Sequence, residues 1–172
     1  MNGLNVGRIG LSSISAMHIR IVTPGKTQIK ALRTLIDERL QRLQHYTKVD
    51  YLELAQGRLK SIQDPVQQVK VEGELLLAQI QPGDWLILLD ERGKGMTSEQ
   101  LAQQLEQKMV QSVQRVVFFI GGAYGFSPAV YDRANQQWAL SAMTFTHEQA
   151  RFLLTEQLYR AFTILRHEPY HH

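Results

Sequence analysis

Two continuous apolar runs, WLILL at residues 85–89 and VVFFI at residues 116–120, dominate the middle of the sequence. Short apolar runs bounded by turn signals are typical of strands that are buried on both faces of a parallel sheet. Between them, Thr97 and Gln100 form the capping-box pattern that opens a helix. The segment therefore predicts a crossover unit of strand, helix and strand.

The segments on either side continue this alternation of strands and helices. Upstream, the pattern predicts a strand over 18–22, an amphipathic helix over 28–44, a strand over 49–54, a loop over 55–64 and a helix from Pro65 to about Ile80. Downstream, it predicts a short helix over 128–135, a strand near 138–141 and a last helix from a second capping box, Thr146 with Gln149, to about His167. The fold class is therefore α/β, a three-layer sandwich with a mostly parallel sheet and no internal domain boundary.

Composition excludes several classes of site and of protein. The chain has 172 residues and no cysteine, so it has no thiol nucleophile, cysteine-ligated zinc or iron–sulfur cluster. His147-Glu148 lacks the second histidine of a helical zinc motif, and we expect no metal site. No apolar run approaches the roughly 20 residues that span a bilayer. We expect a cytoplasmic protein without membrane contact.

The first 16 residues differ from the rest of the chain. They contain three glycines and three serines, and Met17 stands directly before the first predicted strand. We interpret residues 1–16 as an extension that arises from an upstream start or from cloning, and we expect it to be disordered. Residues 17–172 then form a single domain.

Charge is distributed unevenly along the chain. The formal net charge is only +3, but residues 17–60 carry nine basic and four acidic side chains, whereas residues 61–108 carry four and eight. The predicted helix over 28–44 contributes Lys30, Arg33, Arg39 and Arg42. This helix suits an acidic partner such as RNA, but an ordinary solvated helix face has the same appearance.

Three loops follow predicted strands, after Leu89, Ile120 and Ser141. Because open α/β sheets bind ligands beyond the carboxyl ends of their strands, these loops are the expected ligand site. The second loop, GGAYG at residues 121–125, offers free N–H groups and close backbone approach. It lacks the lysine and hydroxyl of a phosphate-binding loop, which argues against a triphosphate. The loop either binds a small-molecule cofactor or serves only as the tight turn between a strand and a helix.

Four blocks of the sequence resemble a known enzyme family. They are GGAYGFS at 121–127, LSAMTFTH at 140–147, LYRAF at 158–162 and PYH at 169–171. Together they are similar to the signature blocks of the ribosomal large-subunit methyltransferase H family, which belongs to the SPOUT class. That family methylates N3 of a pseudouridine in large-subunit ribosomal RNA. The likeness extends from Met17 to His171.

This resemblance implies properties that the residue pattern alone does not give. It implies a trefoil knot in the C-terminal half, a homodimer, S-adenosylmethionine as the cofactor, and ribosomal RNA or the ribosome as the partner. The implied cofactor-binding residues are Leu89, Gly121, Leu140, Ser141, Ala142, Met143, Thr144 and Phe145. Tyr124 stands where some relatives carry a carboxylate or an amide, so no acid from this loop is assumed.

The substrate side is predicted from the chemistry of the reaction. A uracil-type N3–H must lose its proton, and histidine is a suitable acceptor near neutral pH. We expect His171 to act as base or orienter and Tyr170 to stack on or hydrogen-bond the target base. Candidates for contacting the RNA are His147, Arg151, Lys30 and Arg33. Arg160 either contacts phosphate or forms a structural ion pair.

Two other functions fit the same sequence. One is a SPOUT methyltransferase that acts on tRNA or on another ribosomal RNA site. The other is a nucleotide-binding or RNA-binding module without catalysis, which the glycine loop and the basic helix also permit.

Overall fold

A computed structural model describes residues 17–169 of the chain, apart from the side chains of Arg58 and Lys60. The predicted extension over 1–16 lies outside this range. Five strands in the described part form one sheet: β1 (His18–Pro24), β2 (Val49–Leu54), β3 (Trp85–Gly95), β4 (Arg115–Ile120) and β5 (Gln136–Ala139). Their order is β2-β1-β4-β3-β5, and each neighbouring pair is parallel.

Helices cover both faces of the sheet. They are α1 (Lys30–Leu43), α2 (Pro65–Leu77), α3 (Ser98–Val110), α4 (Pro128–Arg133) and α5 (His147–Leu165). Helices α1, α3 and α5 pack together on one face, and α2 packs with α4 on the other. This arrangement confirms the predicted three-layer α/β sandwich. The knot implied by the resemblance stays a prediction.

The two central apolar runs supply both cores. Along β4, Val116 and Phe118 belong to the core beneath α1, α3 and α5, whereas Val117 and Phe119 belong to the core beneath α2 and α4. All four side chains are fully buried. Burial of such a side chain contributes roughly 1.5 to 3 kcal/mol, so β4 stabilises the packing of helices on both faces of the sheet.

Strand β3 is longer than its apolar run predicts. The segment 90–95, predicted as a loop, continues as a strand, and its pairing with β5 shifts register between Leu89 and Lys94. The segment 55–64, also predicted as a loop, contains a short 3-10 helix at Gly57–Ser61. Strand β5 begins at Gln136, two positions earlier than predicted.

Gly93 of β3 lies against the backbone of Gln137 and Trp138 in β5, and we call this contact the close crossing. A Cβ atom at this position would lie 2.6 Å from the backbone C and N atoms of Trp138. All three nearest atoms are backbone atoms of β5 and cannot move away as a flexible side chain can, so a side chain at residue 93 would push the two strands apart. The close crossing lies within the register shift, because Leu89 and Lys94 on either side of Gly93 both pair with Trp138.

No helix between Met17 and Pro169 is long and apolar enough to cross a membrane.

Replacing Gly93 with alanine tests the close crossing. We expect Gly93→Ala to lower the free energy of unfolding by about 2 kcal/mol, because overpacking against fixed backbone forces the strands to shift. Gly95→Ala is the matched control in the same strand, since a Cβ there meets nothing within 4 Å. Urea denaturation followed by circular dichroism measures both. Equal stability of the two variants would contradict the crossing.

Candidate active site

A pocket of about 760 Å³ opens at the carboxyl ends of β3, β4 and β5. Its walls are the continuation of β3 after Leu89, the glycine loop over 121–126 and the loop over 140–146 that leads into α5. Pockets of this size and position are typical of small-molecule sites in parallel sheets. The three strand-end segments predicted to converge therefore do meet around one cavity.

The residues predicted to bind a cofactor cluster at this pocket. Those that line it are Leu89, Gly121, Leu140, Ser141, Met143, Thr144 and Phe145. Ala142 belongs to the same loop but is not among the lining residues. The structure thus brings the set together, and its binding role remains a prediction.

Local hydrogen bonds hold the loop over 140–146. The Ser141 hydroxyl accepts from the Met143 amide at 2.9 Å. At the start of α5, the Gln149 amide donates to Thr146 Oγ1 at 3.2 Å, and the Thr146 amide donates to Gln149 Oε1 at 3.0 Å. This reciprocal pair confirms the capping box predicted from Thr146 and Gln149.

The glycine loop is held from below by Glu72 of α2. The Gly122 amide donates to Glu72 Oε1 at 3.0 Å, and the Gly125 amide donates to the Gly122 carbonyl at 3.3 Å. Burial raises the pKa of Glu72, and the Gly122 amide opposes that rise. Sequence reasoning missed Glu72. Its signal was a carboxylate at helical spacing between the apolar residues Val69 and Leu76.

Two carboxylates form an acidic wall of the pocket. Asp90 accepts from Arg92 Nε at 3.1 Å, from Arg92 Nη2 at 3.0 Å and from the Tyr131 hydroxyl. These bonds, chiefly those from Arg92, lower the pKa of Asp90 to about 2, although burial opposes the shift. Glu91 accepts a hydrogen bond from Thr144 Oγ1 at 3.4 Å. Arg92 lines the same wall, so these three side chains have a formal excess of one carboxylate over one guanidinium, which favours a ligand with positive charge.

His147 stands at the edge of the pocket with a neutral imidazole. The pKa of His147 is lowered, first because surrounding atoms desolvate the ring and then because Arg151 lies nearby, while Glu148 opposes the shift. A histidine with a lowered pKa is neutral at pH 7 and can accept a hydrogen bond. The structure therefore places this predicted substrate-contacting residue where a bound molecule can reach it.

Arg151 occupies a different place from the one predicted. Its side chain is only 1% exposed, and it donates to the Pro24 carbonyl at 2.8 Å and to the Gly25 carbonyl at 3.1 Å. This burial contradicts direct contact with a substrate. Glu148 complements it by accepting from the amides of Gln28 and Ile29 at 3.1 and 2.9 Å. Together they fix the start of α5 to the turn between β1 and α1.

The basic face predicted for α1 is largely neutralised by ion pairs. Arg33 pairs with Glu53 at 2.6 Å and with Asp37 at 3.1 Å. Arg39 pairs with Glu156, Arg42 with Glu38 and, on α5, Arg160 with Glu156. Arg160 thus has the structural ion pair that was one of its two predicted roles. Lys30 is exposed, and no carboxylate of residues 17–169 pairs with it.

Two predictions lie beyond these observations. Tyr170 and His171, the predicted catalytic residues, are outside the described residues, and their roles stay predictions.

The described part of the chain has no candidate metal site. Between Met17 and Pro169, no three histidine or carboxylate side chains come together as metal ligands.

Comparison with known proteins gives the family. Residues 17–171 match the profile described as "Predicted SPOUT methyltransferase". The chain is 46% identical over 156 residues to "Ribosomal RNA large subunit methyltransferase H" of Christiangramia forsetii, covering 91% of this chain and 99% of the relative. A relative of the same name from Flavobacterium psychrophilum has the same identity and coverage.

A solved structure shares the fold. It is described as a probable methyltransferase from Bordetella pertussis Tohama I, with a TM-score of 0.51 and 12% identity, and the match covers 88% of this chain and 96% of that one. At this identity the likeness concerns the fold alone. The sequence blocks, the parallel sheet with its strand-end pocket, and the family match over residues 17–171 agree, and the chain belongs to the SPOUT methyltransferase family.

Proposed function

We propose that this chain transfers a methyl group from S-adenosylmethionine to large-subunit ribosomal RNA, at N3 of a pseudouridine. Membership of the SPOUT methyltransferase family and the name shared by its relatives support the reaction class and the RNA. The observation that carries the proposal is the pocket at the strand ends, because two of the four sequence blocks that resemble the methyltransferase family, 121–127 and 140–147, supply lining residues.

The residues of the pocket fit this cofactor. S-adenosylmethionine supplies an electrophilic methyl group on a positively charged sulfonium. The wall contains the side chains of Asp90, Glu91 and Arg92, and two carboxylates against one guanidinium leave a formal excess of negative charge that favours a cation. Leu89, Trp138 and Leu140 make the floor apolar and exclude water, and the glycine loop offers backbone groups for hydrogen bonding. Holding donor and acceptor in line is then the main contribution of the protein.

The substrate side combines His147 with residues of the chain terminus. Neutral His147 accepts a hydrogen bond from the target nucleotide at the edge of the pocket. His171 accepts the N3 proton or orients the base, and Tyr170 stacks on it. Lys30 lies two residues beyond the Gln28 amide, which is bonded to Glu148 beside His147. This position at the start of α1, together with its exposure, supports Lys30 as the residue that contacts a phosphate of the bound RNA.

The pocket rim supports assembly as a homodimer, which the resemblance also implies. Tyr124 and Met143 are 57% and 75% exposed, and Phe145 beside them is exposed as well. Exposed large apolar side chains that cluster in this way are typical of contact surfaces. A ribosomal substrate implies that the enzyme acts in the cytoplasm.

Methyl transfer with a labelled donor tests the proposal directly. Tritiated S-adenosylmethionine is incubated with the full chain and with ribosomes, free large subunits or tRNA, and nucleoside mapping identifies the product. We expect label on a pseudouridine of the large subunit. Label on tRNA or at another position would indicate a different SPOUT specificity. Absence of both transfer and S-adenosylhomocysteine binding would indicate a non-catalytic module.

Substitution of His147 separates substrate contact from cofactor binding. The lowered pKa keeps the imidazole neutral at pH 7, so protonation of His147 lowers activity only as the pH drops below 6.5, in addition to the loss expected when the proposed base His171 gains a proton. We expect His147→Gln to lower kcat/KM by about tenfold, to make the acid limb of the pH profile shallower and to leave S-adenosylhomocysteine affinity unchanged. The control is His45→Ala, at the opposite edge of the sheet. An acid limb unchanged in His147→Gln would assign the limb to another group.

Substitution of Lys30 tests the phosphate contact. We expect Lys30→Gln to weaken RNA binding regardless of sequence and to reduce the slope of log affinity against log salt by about one. Lys48→Gln is the matched control, because Lys48 is an exposed lysine that precedes β2 and therefore lies at the amino end of the strands, whereas Lys30 follows the carboxyl end of β1. Filter binding over a range of salt concentrations measures both. Identical slopes for the two variants would refute the contact.

A further inference from the structure

Glu72 is a buried carboxylate to which the proposed reaction assigns no role. Only 6% of the residue is exposed on α2, and no cation whose side chain the structure describes forms an ion pair with it. Burial of a carboxylate without a cation is costly, and burial raises the pKa of Glu72. Its hydrogen-bond partner is the Gly122 amide at 3.0 Å.

The contact between α2 and the glycine loop has no free space. A Cβ atom on Gly122 would lie 2.8 Å from Glu72 Oε2. On the helix side, a Cβ atom on Gly73 would lie 2.3 Å from the Ser127 hydroxyl. Glycine on each side therefore lets the helix and the loop approach closely enough for the carboxylate to reach the Gly122 amide.

The hydrogen bond orients one peptide unit of the pocket. The Gly122 amide donates to Glu72 while the Gly122 carbonyl accepts from Gly125, so both backbone polar groups of Gly122 are engaged. No described peptide bond is cis. In a trans peptide the carbonyl points away from the following N–H, so the Gly121 oxygen is directed away from Glu72. Gly121 itself lines the pocket.

We propose that Glu72 is a positioning residue of the cofactor site, which fixes the Gly121–Gly122 peptide so that the Gly121 carbonyl accepts a hydrogen bond from an N–H group of the cofactor. This inference rests on the proposed function, because it requires the cofactor in this pocket. Glu72 acts through Gly122 and does not touch the reacting atoms. A buried acceptor below the loop prevents rotation of the peptide when the pocket is empty.

An isosteric pair of variants tests the hydrogen bond. Glutamine and methionine are close to glutamate in size, but only glutamine retains an oxygen that accepts from the Gly122 amide. We expect Glu72→Gln to bind S-adenosylhomocysteine with nearly wild-type affinity and Glu72→Met to bind about tenfold more weakly. Glu74→Met is the control, since Glu74 is exposed on the same helix. Isothermal titration calorimetry on the full chain measures all four proteins.

The outcomes separate the two proposals. If wild-type protein does not bind S-adenosylhomocysteine, the proposed function fails and this inference fails with it. If wild-type protein binds but Glu72→Met binds equally well, or Glu72→Gln is as weak as Glu72→Met, only the role of Glu72 is refuted. Rescue by glutamine is the outcome that a purely space-filling role does not produce.

Nuclear magnetic resonance of the wild-type protein answers the question even if a variant does not fold. We expect the Gly122 amide proton to resonate downfield and to exchange with solvent more slowly than the Ala123 amide, because a carboxylate holds it. Addition of S-adenosylhomocysteine should shift the Gly121 carbonyl carbon. A Gly122 amide that exchanges as fast as that of Ala123 would overturn the proposal.

Discussion

The buried contact between α5 and the turn after β1 determines where the pocket can form. Arg151 binds the carbonyl groups of Pro24 and Gly25, and Glu148 binds the amides of Gln28 and Ile29. The loop over 140–146 leads directly into α5, so its position above the sheet depends on these bonds. A buried guanidinium is tolerated only where acceptors are already in place. The start of α5 therefore has little freedom to change its position relative to the turn after β1.

Acidic and basic side chains occupy different parts of the proposed site, acidic ones in the cofactor pocket and a basic one on the surface proposed to face the RNA. The pocket wall carries Asp90, Glu91 and Arg92 with a formal excess of negative charge, whereas Lys30 is exposed at the start of α1 and is not among the residues that line the pocket. The arginines of α1 are paired with carboxylates and add little net charge. Of these pairs, Arg42 with Glu38 is exposed, and an exposed ion pair contributes only about 0 to 1 kcal/mol. A small net charge is therefore compatible with RNA binding.

Sequence patterns predicted those features that neighbouring residues determine. The apolar runs placed β3 and β4, both capping boxes were confirmed, and the strand ends indicated the pocket. Features that depend on distant partners were missed, because periodicity says nothing about pairs such as Glu72 with Gly122 or Asp90 with Tyr131. Arg151 was misjudged for the same reason, since its acceptors are the carbonyl groups of Pro24, at the end of β1, and of Gly25, in the turn that follows. The extension of β3 was missed because its apolar pattern ends at Leu89.

The strand order has a consequence for how the chain reaches its folded state. Strand β1 pairs with β4, so Ile19 cannot form its native pair until Val116 has been synthesised. Helix α1 packs against α5, which is the last helix of the described chain. Contacts between such distant segments require long loops to close, which slows folding. During synthesis the apolar face of β1 stays exposed until most of the chain has left the ribosome. The emerging chain is consequently vulnerable to aggregation for longer than one built from local hairpins.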